Sequence, residues 1–250
     1  MWAAGDSGVD RHSTDGQSDA YGAVWTDTLF LDRPADAVRL RVSRQGGASV
    51  SRLAVAGADS SRDNADGGGA AWGDLTDPPD RSQMEFSAGE AWCSPTTSSM
   101  MLGYFADQLE DPSVDATVPE AADQTWDSAY QGNGNWPFNT AFLATRGLTT
   151  EVGWFGAVAE LEPWVAAGYP VGVSAAWERG ELDNAPIAST AGHILLVTGF
   201  DAEGDVHVND PAAATDEEVP RVYDREQFAR AWLGGSGGIV YLAWTGARPD

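Results

Sequence analysis

Residues 92–109 read WCSPTTSSMMLGYFADQL, and the proline at position 95 restricts what this stretch can become. Proline has no N–H and a fixed φ, so it suits the first turn of a helix and disrupts any later one. The segment therefore reads as a helix starting directly after Cys93, with Ser94 as candidate N-cap and Pro95 at the first helical position. Met100, Met101, Tyr104 and Phe105 fall on one stripe of it. Downstream, GAVAELEPWVAA (156–167) reads as a second helix ended by Gly168, and PVGVSAAW (170–177) as an apolar strand. HILLVTGF-DAEG-DVHVND (193–210) reads as a β-hairpin. DREQFARAWL (224–233) reads as a helix with Phe228 and Trp232 four apart, and GGIVYLAW (237–244) as the last strand. A helix first and hairpins later, rather than βαβ repeats, indicates an α+β chain.

The upstream part is different in character. Residues 1–20 are small and polar and read as a flexible tail. Residues 21–74 form a β-rich region with strands expected in TDTLFL, AVRLRVSR and VSRLAVAGA, followed by a linker, ADSSRDNADGGGAAWGD (58–74). The remainder, 75–250, forms the main domain.

The chain carries 38 acidic residues against 14 arginines and no lysine, a formal charge of −24. A phosphate backbone would be repelled, which argues against nucleic acid, while cationic substrates would be attracted. No apolar run approaches the length of a membrane span. One cysteine cannot form an internal disulfide, and the three histidines give no structural-zinc spacing, so neither a metal nor another cofactor is expected.

That single cysteine, Cys93, lies at a helix N-terminus, where the helix dipole and unpaired N–H groups favour the reactive thiolate. Cysteine is also a common core residue, and position alone does not decide between the two roles. A nucleophile needs a base. His12 lies in the tail, His207 in the returning hairpin strand and His193 at a strand start, which makes His193 the candidate. If Asp201 opposes Gly204 across the turn, Leu195 faces Asp210, and Asp210 shares His193's face. Asn209 and His207 then point the other way, and a bulge would exchange the faces.

SQMEFSAGEAWCSPTTSSMMLGYF, AGHILLVTGFDAEGDVHVNDPAA and YDREQFARAW together resemble, in content and order, the blocks of papain-like cysteine peptidases related to the bacteriocin-processing, double-glycine family thirty-nine. The resemblance covers about 75–245. It is strongest to stand-alone, exported members from high-GC bacteria, which have a β-rich N-terminal extension and a block similar to GNWPFNTAFLATRGL. It implies a papain-like fold and a thiol peptidase, with Cys93 as nucleophile, His193 as general base and Asp210 as its orienting acid. It also implies Gln83 as the oxyanion-hole side chain beside the Cys93 N–H. Two departures are visible: Ser94 stands where the family often has glycine, and the Gln83–Cys93 interval is longer. Trp136 and Phe138 are expected to pack in the core, with Asn139 capping a helix. The implied partner is a peptide, protein or cell-wall peptide, met outside the cytoplasm; residues 1–20 lack the basic and apolar stretches of a secretory signal, so either a signal precedes this numbering or the protein is cytoplasmic. A cell-wall amidase or acyltransferase with the same residues, and a non-catalytic binding module on the same scaffold, are the competing readings.

Overall fold

In the computed structural model, which describes residues 10–42, 53–57 and 68–249, helix α1 runs from Cys93 to Gln108. Pro95 is the third helical residue rather than the first, still within the first turn, where proline stereochemistry allows it. The cap differs from expectation: Cys93 is the first helical residue, and Trp92 precedes it without a side-chain cap. Ser94 cannot serve as the cap, because it lies inside the helix and its hydroxyl is engaged with the Tyr241 hydroxyl at 2.8 Å. From Ser94 to Ala106 the helix is buried all round.

Helices α2 (Val118–Thr125) and α3 (Trp136–Ala144) follow, then strand β4 (Thr149–Trp154) and the short helix α4 (Glu162–Ala166). Most of the stretch read as one helix over 156–167 is thus a 3-10 turn at Val158–Glu160 and the short α4. Asn135, rather than Asn139, caps α3, accepting from the Phe138 N–H at 3.0 Å. Asn139 is inside the helix and uses its amide to bind the Asn133 and Asn135 carbonyls. Phe138 is in the core, as expected of a large aromatic.

The sheet is completed by β5 (Val171–Trp177), β6 (Thr190–Phe200), β7 (Val206–Asn209), β8 (Pro220–Tyr223) and β9 (Ile239–Trp244), with α5 (Arg225–Ser236) between the last two. Its six strands run in the order β4-β9-β5-β6-β7-β8, every neighbouring pair antiparallel. Side-chain alternation splits the core. On one face Ile194, Leu196, Tyr241 and Ala243 pack beneath Met100, Met101 and Phe105 of α1 and Phe142 of α3. On the other, Leu195, Val197, Val208 and Leu242 pack against Phe228 and Trp232 of α5 and Trp164 of α4. Helices on both faces of an antiparallel sheet make the expected α+β arrangement.

Ahead of these in the chain, β1 (Gln17–Ser18), β2 (Gly22–Trp25) and β3 (Thr28–Leu31) form a separate three-stranded antiparallel sheet. Residues 10–20 are not loose where described. The Ser13 N–H donates to buried Asp127 at 2.9 Å, and the Ser128 hydroxyl donates to Asp10 at 2.9 Å. These polar residues are held because Asp127 and its turn supply partners that composition does not reveal. Of the strands expected in AVRLRVSR and VSRLAVAGA, residues 37–42 and 53–57 have exposed apolar side chains and form no strand pairing among the described residues, while 43–52 lie outside those residues. Most of the linker, 58–67, lies outside the described residues, as do 1–9. Its end is tied down: buried Glu162 accepts the N–H groups of Gly69 and Ala70 at 2.8 and 2.7 Å.

Candidate functional site

The N-terminus of α1 meets the start of β6 at Cys93 and His193. One helical turn along, the Thr97 hydroxyl donates to the Ile194 carbonyl at 3.2 Å and joins helix to strand. The Cys93 thiol lies within electrostatic reach of the His193 imidazole and of the Ile194 and Ser94 backbone. Cys93 is partly exposed, whereas His193 is buried. The imidazole Nε2 is 2.7 Å from Asp210 Oδ1. That assignment leaves Nδ1 for the sulfur. The Trp177 ring meets the imidazole edge-on, with centroids 5.7 Å apart.

Asp210 reaches His193 through a register with two irregularities. Leu196 pairs with Asn209 and Val197 with Val208, the alignment expected from the sequence. Nearer the turn Gly199 pairs with His207 and Phe200 with Val206, one position off, and the ladder shifts between Val197 and Gly199. The turn is also one residue longer, with Asp201 opposite Asp205. The bulge cancels the longer turn, so Asp210 and His193 share a face. Asn209 points away and donates to Asp80 at 3.0 Å. His12 lies near the surface with its Nδ1 on the Asp10 carbonyl, and His207 is on the strand face opposite Asp210.

The electrostatics follow from these contacts. Burial by itself pushes the Cys93 thiol up. The His193 imidazole, with the Ile194 and Ser94 backbone, outweighs it and leaves the thiol below its ordinary value. Burial disfavours the imidazolium, and the adjacent Asp210 carboxylate reverses this, raising His193 well above its ordinary range. Asp210 has no exposed surface. Burial opposes its ionisation, but His193, the Tyr223 hydroxyl and the Ala212 N–H hold it below the usual carboxylate range. Each shift favours a thiolate–imidazolium pair backed by a carboxylate.

Gln83 opens a 3-10 turn, Gln83–Glu85, and is buried. Its Nε2 donates to the Glu90 carbonyl at 3.0 Å, three residues before Cys93 in the chain, and its backbone N–H donates to Pro211 at 2.9 Å. Its Oε1 has no partner among the described residues. The turn packs so closely that a Cβ on Gly89 would lie 1.7 Å from the Gln83 carbonyl oxygen. This folds the Gln83–Cys93 segment tightly despite its length. Tyr223, which donates to Asp210, and Trp177 were not singled out from sequence. No local pattern marks them, since an aromatic at a strand end is ordinary core composition.

Among the described residues no group of His, Cys, Asp and Glu could hold a metal, and no helix is long and apolar enough to cross a membrane. A family model described as "Peptidase_C39 like family" matches residues 76–238, and one described as "Peptidase C39 N-terminal domain" matches 1–61. No curated protein matches the chain. One similar solved structure is a double glycine motif protease from an AMS/PCAT transporter in complex with the leader peptide. It is 16% identical, with 71% of this chain and 95% of that one covered and a TM-score of 0.43. Another, described as a C39-like peptidase from Bacillus anthracis, is 18% identical, with 64% and 91% covered and a TM-score of 0.42. Matched over 76–238, well over half its length, the chain belongs to the Peptidase_C39-like family.

Proposed function

We propose that the protein is a thiol peptidase with Cys93 as nucleophile, His193 as general base and acid, and Asp210 as the group that orients His193. The observation that supports this most is the buried His193–Asp210 pair at 2.7 Å, placed where the start of β6 meets the helix N-terminus that carries the lone, partly exposed thiol. The thiolate attacks the scissile carbonyl carbon, and the imidazolium gives its proton to the leaving amine. Water, deprotonated by the now neutral imidazole, then hydrolyses the thioester and releases the acid and the thiolate. The Cys93 N–H and the second amide hydrogen of Gln83 Nε2 donate to the tetrahedral oxyanion. The substrate is a polypeptide or cell-wall peptide met outside the cytoplasm, and the −24 charge favours basic segments.

The sign of the pH dependence follows from the two shifts. Alkylation needs only the thiolate, so iodoacetamide labelling of Cys93 continues below the free-thiol value of about 8.5 and fades only as pH falls through the lowered Cys93 pKa. Hydrolysis also needs the imidazolium, so it declines again as pH rises through the raised His193 pKa, where labelling does not. Labelling confined to alkaline pH would assign the chain to a non-catalytic scaffold. Activity on peptidoglycan with none on casein would make it an amidase.

Gly89→Ala tests the Gln83 assignment. The added methyl forces the Gln83–Glu90 turn apart, with an expected loss of about 1–3 kcal/mol in a denaturant melt. Turnover falls by at least tenfold, toward the loss of about 100- to 1,000-fold that follows outright removal of an oxyanion donor, while acidic labelling of Cys93 is kept. Full turnover in a destabilised Gly89→Ala variant would remove Gln83 from the site.

A further inference from the structure

Each oxygen of the fully buried Asp210 carboxylate has a donor. Oδ1 takes His193 Nε2 at 2.7 Å and the Ala212 N–H at 3.0 Å; Oδ2 takes the Tyr223 hydroxyl at 2.7 Å. Tyr223 is not a ladder neighbour of Asp210. It pairs with Val206 at the far end of β7, so its ring must reach back along that strand to deliver the hydroxyl. The ring is completely buried in the core that also holds Val206, Val208 and Phe228.

We propose that Tyr223 is a positioning residue of this site, whose hydroxyl holds the Asp210 carboxylate in one rotation and keeps it ionised behind His193. The inference rests on the thiol peptidase reading. A buried carboxylate oxygen stripped of its donor bears the cost of an unpaired charge. It relieves that cost by taking a proton or by turning to another donor. The first removes the charge behind His193 and the second turns the acceptor away from Nε2, so in both cases the imidazolium that stabilises the thiolate is weakened. The titratable and charged groups facing this cluster are Cys93 from α1, His193 from β6, Asp210 after β7, Tyr223 and Arg221 from β8, and Tyr241 from β9, which faces Cys93. Burial and the Asp210 charge keep the Tyr223 hydroxyl protonated well above its ordinary range, against a weaker opposing influence of Arg221, so it donates at every working pH.

Tyr223→Phe removes the hydroxyl and keeps the ring. Its effect is read as the pH profile of Cys93 alkylation by iodoacetamide and as kcat and KM on one peptide. The acid limb of the profile is expected to move up by about one pH unit and kcat to fall about tenfold, with KM nearly unchanged. Phe228→Leu, in the same core, controls for loosening: it lowers Tm without moving the limb. In an Asp210→Asn background the Tyr223→Phe change should add nothing further to the limb, since both act through one carboxylate. An acid limb that stays in place or moves down in Tyr223→Phe, or fully additive effects in the double variant, overturns the role of Tyr223 alone. Wild-type labelling only at alkaline pH overturns the peptidase reading beneath it.

Discussion

Cys93→Ala should abolish the release of new amino termini from casein, a loss of about ten-thousand-fold or more, down to the background of the assay. The size of the effect follows from covalent catalysis: without sulfur there is no thioester, and neither the oxyanion donors nor His193 has an attacking group to assist. The fold should survive. Cys93 is partly exposed at the first position of α1, where alanine is acceptable to the helix and the truncation opens little space. Tm is therefore expected to stay within a few degrees of the wild type, and amino-terminal labelling of cleaved casein gives the rate. Residual turnover above about one part in a hundred would show that Cys93 is not the nucleophile.

Asp210→Asn should cost about 100- to 10,000-fold in kcat, while Asn209→Ala costs less than tenfold. The asparagine keeps the shape of Asp210 but removes the charge that raises His193, and its amide nitrogen can face Nε2 with donor against donor. Asn209 serves the opposite strand face, where it donates to Asp80. The substitution also has a pH signature. Asp210 has a depressed folded pKa, so its charge contributes stability that is present above the unfolded value of about 3.9 and is lost as pH falls through the folded one. The Tm gap between wild type and Asp210→Asn is thus widest near neutral pH and narrows in strong acid. A larger kcat loss in Asn209→Ala than in Asp210→Asn would reverse the assignment of faces.

Several features were legible without coordinates because their causes are local. Pro95 limits where α1 begins, since ring stereochemistry and the missing N–H act within one turn. The helix-then-hairpin order gives an α+β chain by the same reasoning. The shared face of His193 and Asp210 came from strand alternation. There two departures cancelled: the turn is longer than read, and a bulge between Val197 and Gly199 restores the expected alignment at Leu196 and Asn209. Nothing in the hairpin sequence announces that bulge.

What the tertiary structure alone decided depends on partners distant in the chain. Ser94 is not a cap because Tyr241, from the last strand, takes its hydroxyl. Residues 10–20 are held because Asp127 and Ser128 meet them across more than a hundred residues, although their composition is that of a loose tail. Gln83 is buried because the turn closes on Gly89 and Pro211, and Tyr223 reaches Asp210 because β8 brings its ring along β7. Sequence periodicity records which way a side chain faces within its own element. The hydrogen-bond partner it finds there is set by packing between elements, which leaves no periodic trace in the residues themselves.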